Sequence, residues 1–159
     1  MSLEKLNIEE IKKYINDDPV RPHLSADFRS SVNREVYALY EDQYAKHAPV
    51  LHEGPRAIIC VAYTNEIPIT ETELGLMSRS AAQDGQRGNI AVFYTVWSYD
   101  RGAGREIVLS VASHVKQEYN VDRWITLSPL TEMAERFHIK NGASLLERGN
   151  ECQNFEYVV

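Results

Sequence analysis

Two stretches of the chain, Arg56–Thr64 (RAIICVAYT) and Asn89–Tyr99 (NIAVFYTVWSY), are apolar almost without a break. Runs of that length, rich in β-branched and aromatic residues, predict strands covered on both faces. Gly104–Tyr119 changes to helical spacing, with Ile107, Val108, Val111 and Val115 on one face. Asp122–Leu127 predicts a third strand and Pro129–Lys140 a second helix, stopped at Asn141-Gly142 by a glycine in the left-handed conformation. Ala143–Arg148 and Gln153–Val158 predict closing strands. Ahead of these, Leu6–Ile15 sets Leu6, Ile8, Ile11 and Ile15 among charges, as a short amphipathic helix does, and Pro19 and Pro22 make Asp17–Ser31 irregular. Arg34–Glu41 (REVYALYE) fits a strand by its content, or a helix by its continuation into Asp42–His47. Glu66–Asn89 is polar, carries Gly75, Gly85 and Gly88, and predicts a long excursion with at most one short element. Strand–helix–strand–helix–strand across residues 89–148 calls for an α/β fold with helices packed on a mixed sheet. A length of 159 residues fits one domain over 1–159, its first 33 residues a helical and irregular lead-in.

Charge and cysteine usage narrow the partners. Seventeen basic against 23 acidic residues give a net charge of −6, which argues against a nucleic-acid partner, since that needs a positive footprint. No apolar run approaches the roughly 18 residues of a membrane span, so no membrane partner is expected. The start, Met-Ser-Leu-Glu-Lys, lacks the apolar stretch of a signal peptide. Cys60 and Cys152 lie far apart with neither metal-ligand nor redox spacing, and Cys60 reads as a small core hydrophobe. The expectation is a cytoplasmic protein with no metal.

The segment Tyr99-Asp100-Arg101-Gly102-Ala103-Gly104-Arg105 joins the strongest predicted strand to the strongest predicted helix. Glycines there allow a tight turn and a close backbone approach, and the helix beginning at Gly104 aims unpaired N–H groups into the same space, a geometry that binds phosphate. Arg101 and Arg105 would add charge-assisted contacts. A plain strand-to-helix turn is the alternative. The segment is not a dinucleotide fingerprint, because the third glycine and the acidic residue about 20 positions on are missing.

Tyr99–Val108 (YDRGAGREIV) resembles the coenzyme A loop of the GCN5-related N-acetyltransferase (GNAT) superfamily, whose pattern is Gln or Arg, two residues, Gly, any residue, Gly or Ala. Both glycine positions match, while Tyr99 stands in place of the leading Gln or Arg. Five further stretches resemble the acetyltransferase-like catalytic domain of the malonyl-CoA decarboxylase family. Arg34–Tyr40 (REVYALY) is similar to its Arg-x-Cys-Tyr-Ala-Phe-Phe, Val61–Ile67 (VAYTNEI) to its Val-Ala-Leu-Thr-x-x-Ile, and Ala91–Val96 (AVFYTV) to its Ala-Ile-Phe-Tyr-Ser-Ile. Thr126–Pro129 (TLSP) and Arg136–Ala143 (RFHIKNGA) resemble its Thr-Leu-Ser-Pro and Arg-Phe-His-Leu-x-Asn-Gly-Ala. The family's helical N-terminal domain and its long insertion between serine and histidine are absent, and Thr131-Glu132 replaces its Pro-Gly.

The resemblance implies a GNAT-like mixed sheet flanked by helices and an acyl-CoA as substrate, a small-molecule partner. It implies that Tyr99, Arg101, Gly102, Ala103, Gly104, Arg105 and Asn141 bind coenzyme A, and that Ser128 and His138 are the catalytic pair. Losing CO₂ from a malonyl thioester leaves an enolate whose oxygen needs hydrogen-bond donors and whose carbon needs a proton. A hydroxyl and an imidazole of ordinary pKa near 6.5 suit both tasks. The acetyltransferase pattern places at the position of His138 a tyrosine that protonates the departing thiolate. On the residues alone, Ser128 before Pro129 is equally a helix N-cap, and His138 a histidine satisfied by a neighbour. A continuous helix from Ser128 to His138 would separate their backbones by about 15 Å, beyond a direct hydrogen bond. Glu66, Glu71 or Glu73 would be the general base if the acceptor were an amine, or else a solvated loop. The expected function is therefore malonyl-CoA decarboxylation or acyl transfer to an amine, with a non-catalytic coenzyme A-binding module as the alternative.

Overall fold

The two longest apolar runs lie side by side in the middle of one mixed sheet. The structure, a computed structural model, describes residues 2–41, 54–83 and 87–159. In chain order the elements are β1 (Ser2–Lys5), α1 (Ile8–Lys12), a 3₁₀ turn (Ile15–Asp17), α2 (Ala26–Arg29), β2 (Arg34–Tyr40), β3 (Ala57–Thr64), α3 (Glu71–Gln83), β4 (Ile90–Ser98), α4 (Ala103–Glu118), β5 (Arg123–Thr126), β6 (Ser128–Pro129), α5 (Glu132–Lys140), β7 (Ser144–Arg148) and β8 (Cys152–Tyr157). Among the described residues eight strands form one sheet in the order β1-β2-β3-β4-β5-β8-β6, with β7 paired to β8. Neighbours are antiparallel except β4 and β5, which α4 joins as a crossover.

Both faces of the sheet are covered, which is why β3 can be buried at every position. Ala57, Ile59, Val61 and Tyr63 pack with Ile107, Val108, Val111 and Val115 of α4 in one core. Ile58, Cys60 and Ala62 face the other way into a second core with Ile11, Ala26 and Leu74 from α1, α2 and α3. The helical face read for α4 is completely buried at all four positions, and Cys60 is a core residue as expected.

The structure corrects the sequence reading at several places. Arg34–Tyr40 is a strand; the stretch Asp42–His47, on which its helical alternative depended, lies outside the described residues, as does Gly85. The excursion after β3 holds α3, a full helix of 13 residues. The helix read from Pro129 begins only at Glu132, capped by Thr131, whose side chain accepts from Ala134 N–H at 3.2 Å. The first helix, capped by Asn7, is shorter than Leu6–Ile15 and is followed by a 3₁₀ turn. The lead-in is not simply irregular. It supplies an edge strand, β1, and carries three buried charged residues, Asp18, Arg21 and Arg29.

Candidate active site

The parallel strands separate partway along. β4 and β5 pair from Ile90 opposite Arg123 to Phe93 opposite Thr126, and the last bond between them runs from Leu127 N–H to Phe93 O at 2.9 Å. β4 then continues beside β3, whereas Ser128 and Pro129 turn to pair with β8. Opposite Cys60 and Val61 of β3 stand Thr95 and Phe93, so Tyr94 is an inserted residue and β4 is bulged where the strands part. The gap is a cavity of about 590 Å³. Tyr94–Tyr99 line one side, Leu127–Pro129 another, Phe137 and His138 a third, with Gly104 and Val108 of α4 and Pro19 and Val20 of the lead-in completing it. A crevice beyond the carboxyl ends of parallel strands is where ligands bind in open α/β sheets. Among the described residues no Lys or Arg lines this cavity, and Asp17 is its one acidic side chain.

The glycine segment borders the cavity. Gly102 is the N-cap of α4 with φ of +83°, a left-handed conformation that only glycine adopts without cost, and among the described residues no side chain caps the helix. Ala103 and Gly104 are buried, and a Cβ on Gly104 would stand 3.4 Å from the Phe137 ring. Arg101 and Arg105 are exposed, and Arg105 acts electrostatically on Tyr157. Tyr99 accepts from Trp97 Nε1 at 2.9 Å and donates to Asp17 Oδ2 at 2.6 Å, fastening the segment to the lead-in. Arg56, at the entry to β3, reaches Asp100 Oδ2 and Glu106 Oε2, each at 2.9 Å, so one guanidinium offsets part of the charge of the two carboxylates that flank the glycines.

His138 is buried on α5. Its ring stacks on Phe155 with centroids 5.3 Å apart, and its Nδ1 lies 2.7 Å from the Tyr157 hydroxyl. Burial lowers its pKa to about 4, so the imidazole is neutral at neutral pH; the value near 6.5 expected from the sequence does not hold in this environment. Burial pushes Tyr157 up to about 12 against the opposing effects of nearby Asn141 and Arg105. The amide nitrogen of Asn141 is buried near that hydroxyl, close enough to lower its pKa but outside hydrogen-bond geometry to any described residue. Gly142, with φ of +102°, ends α5 as expected. Asn141 does not line the cavity; it backs the Tyr157–His138 pair.

Ser128, also buried, stands in β6 and not at a helix start, because Thr131 is the cap. Its Oγ lies 2.8 Å from Thr126 Oγ1, which in turn accepts from Phe155 N–H at 3.0 Å. Since α5 begins four residues after Ser128, the continuous helix that would hold the serine 15 Å from His138 does not exist. Both side chains line the one cavity without a hydrogen bond between them. The three glutamates weighed as a general base are elsewhere. Glu71 binds Arg21 and His23, Glu73 accepts from Ile69 N–H, and neither they nor Glu66 lines the cavity.

Tyr157, Arg56 and the buried lead-in charges were invisible to the sequence reading. Asp18 accepts from Thr95 Oγ1 of the cavity wall at 2.9 Å, from the N–H groups of Val20 and Arg21, and pairs with Arg29 at 2.7 Å. The one available signal was charge density between Pro19 and Arg29 in a segment flanked by apolar positions.

The fold as a whole is similar to that of solved structures. This chain has the GNAT fold. A malonyl-CoA decarboxylase from Rhodopseudomonas palustris matches 80% of it at 24% identity with a TM-score of 0.60. An acetyltransferase from Thermus thermophilus matches 99% of it at 10% identity and a TM-score of 0.61, with 97% of that chain covered. Arabidopsis thaliana NAA60, solved in complex with acetyl-CoA, matches 98% at 12% identity and a TM-score of 0.59, again over 97% of its own length. The chain spans about a third of the decarboxylase it resembles, 33% for the Rhodopseudomonas protein. No family model matches it, and no curated protein does.

Proposed function

We propose that the protein binds an acyl-CoA with its pyrophosphate at Arg101–Arg105 and its thioester in the β4–β5 split, and that it decarboxylates a malonyl-type thioester there. The observation that carries this reading is the meeting of Ser128 and His138 in a cavity with no Lys or Arg in its described lining. Such a wall offers a carboxylate no cationic partner, whereas it suits the loss of that charge as CO₂. Breaking the bond between the α-carbon and the carboxylate releases CO₂ and leaves the electron pair on the thioester as an enolate, and a proton from water then adds to the α-carbon. Tyr157 keeps its proton and can give a hydrogen bond to His138 Nδ1, in the tautomer whose single ring proton is on Nε2. A neutral imidazole N–H is an effective donor to an enolate oxygen. Ser128, hydrogen-bonded to Thr126, supplies a second hydroxyl donor. The competing reading, acyl transfer to an amine, needs a base for the ammonium, and the three candidate glutamates are not at the cavity.

The test is mass spectrometry of the purified chain with malonyl-CoA alone, and with acetyl-CoA plus a panel of amines. Conversion of malonyl-CoA to acetyl-CoA is expected. An acylated amine with free coenzyme A would establish the transferase instead. Tight binding with no turnover of either would leave a coenzyme A-binding module of the same fold.

A further inference from the structure

Where β4 and β5 part, two backbone carbonyls turn toward the same buried cation. Arg21 Nε donates to Tyr94 O and its Nη2 to Leu127 O, both at 2.9 Å, and its Nη1 meets Glu71 Oε2 at 2.9 Å. Tyr94 is the bulged residue of β4, and Leu127 immediately precedes Ser128. Arg21 is thus hydrogen-bonded to residues 73 and 106 positions away along the chain, one on each side of the cavity. Its own position is fixed too. Its N–H donates to Asp18, its carbonyl accepts from Leu24 N–H and from Arg29, and its side chain is only 6% exposed.

Burying a guanidinium is costly unless every donor direction is used and a counter-charge is present. Here the counter-charge is Glu71, at the start of α3, which His23 also contacts at 2.6 Å. A planar group with donors in a fixed fork can span two carbonyls at a set separation, which a lysine ammonium cannot. We infer that Arg21 is a positioning residue, a spacer that holds β4 and β5 apart beyond Phe93 and so sets Ser128 opposite the Tyr94 bulge. As a statement about turnover this rests on the function proposed above; as a statement about the split it does not. Without the fork the two strands are free to draw together past their last bond, at Leu127 N–H, and the cavity narrows.

The variants are Arg21→Lys, which keeps the charge beside Glu71, and Arg21→Ala, both in the full chain. Their melting temperature, coenzyme A affinity by calorimetry, turnover of malonyl-CoA and crystal structures are measured. Misplacing a reacting group by about 1 Å can cost on the order of 10²-fold in rate. The expected result for Arg21→Lys is therefore a loss of turnover of about that size, coenzyme A affinity within a few-fold of the wild type, and a displaced Ser128. Guanidinium ion added to Arg21→Ala should restore part of the lost turnover. Wild-type turnover with Ser128 unmoved in Arg21→Lys would overturn the inference. So would a loss that falls equally on turnover, coenzyme A binding and melting temperature, which marks a purely structural residue. If the wild type turns over no acyl-CoA, the proposed reaction fails. The spacer is then judged on the Arg21→Lys crystal structure: strands drawn together past Phe93 support it, and an unchanged split refutes it. Should Arg21→Ala not fold, Arg21→Lys decides alone.

Discussion

His138 Nδ1 lies 2.7 Å from the Tyr157 hydroxyl, and the two residues reach each other from α5 and β8, 19 positions apart in the chain. The pair is buried, and burial holds the imidazole pKa at about 4. Relative to an ordinary histidine near 6.5, the folded protein resists protonation, while the unfolded chain takes the proton readily. Stability from this group is therefore fully present above pH 6.5 and is lost as pH falls through 6.5 toward 4, amounting to about 3 kcal/mol at most. His138→Gln should flatten that part of the curve of denaturation free energy against pH. An unchanged slope between pH 4 and 6.5 in the variant would mean that the imidazole is not held neutral. Tyr157→Phe should leave coenzyme A affinity intact and lower turnover by less than His138→Gln, whose own loss is expected to be about 10²–10⁴-fold.

Ser128 and Thr131 were one question in the sequence and are two in the structure. The cap of α5 belongs to Thr131, so Thr131→Ala should cost about 1 kcal/mol and leave turnover unaltered. Ser128→Ala removes a hydroxyl bonded to Thr126 at the cavity wall, and its effect should appear in turnover with the melting temperature nearly unchanged. The opposite pattern, with Ser128→Ala unfolding early and turning over normally, would return the serine to a structural role.

What could be read from the sequence depended on whether the signal was local. β3, β4 and the buried face of α4 announce themselves because both faces of the central strands are covered and the helix repeats its apolar positions at a constant period. The TLSP and RFHIKNGA stretches likewise marked residues that the fold brings to one cavity. The start of α5 was misjudged because Pro129 favours a first helical turn, yet pairing of Ser128 and Pro129 with β8 takes those residues for the sheet. The length of α3 was underestimated, as at most a short element, because its glycine and polar residues mask a helix anchored chiefly by one fully buried leucine, Leu74. The lead-in was misread for a different reason. Asp18, Arg21 and Arg29 carry surface-type side chains, and their burial depends on pairing with one another and on contacts with Thr95, Tyr94 and Cys60 far along the chain.

Asp18 and Arg29 form an ion pair whose side chains are both fully buried, and Asp18 also holds Thr95 of the cavity wall. Asp18→Asn keeps the shape but strands the Arg29 charge, and breaking one partner of a buried pair typically costs about 3–5 kcal/mol. Equilibrium urea unfolding should show a loss of that order. A change under 1 kcal/mol would mean that the pair is not buried as described.

Arg56 joins Asp100 and Glu106, so removing it leaves two carboxylates beside the segment that is proposed to hold a pyrophosphate. Arg56→Met should weaken coenzyme A binding by roughly 10-fold, since one uncompensated charge contact near a surface is worth on the order of 1 kcal/mol. Adding Glu106→Gln to that variant should recover part of the affinity. If Arg56→Met binds as the wild type does, the phosphates lie elsewhere.

The two glycines of the loop separate geometry from space. Gly102 has open room around its missing Cβ but a φ of +83°, so Gly102→Ala should cost about 1–2 kcal/mol through the backbone alone. Gly104 has ordinary helical geometry, but a Cβ there would press on Phe137 at 3.4 Å and on the cavity it lines. Alanine favours a helix over glycine by about 1 kcal/mol, so Gly104→Ala should unfold no earlier than the wild type while narrowing the gap between α4 and α5. Gly102→Ala is therefore expected to lose stability and coenzyme A affinity together, because the turn and the N–H groups it aims share one backbone conformation. Gly104→Ala is expected to lose affinity alone. Calorimetry and thermal melts on the two variants separate these outcomes. Unchanged coenzyme A affinity in both would remove the glycine segment from the binding site.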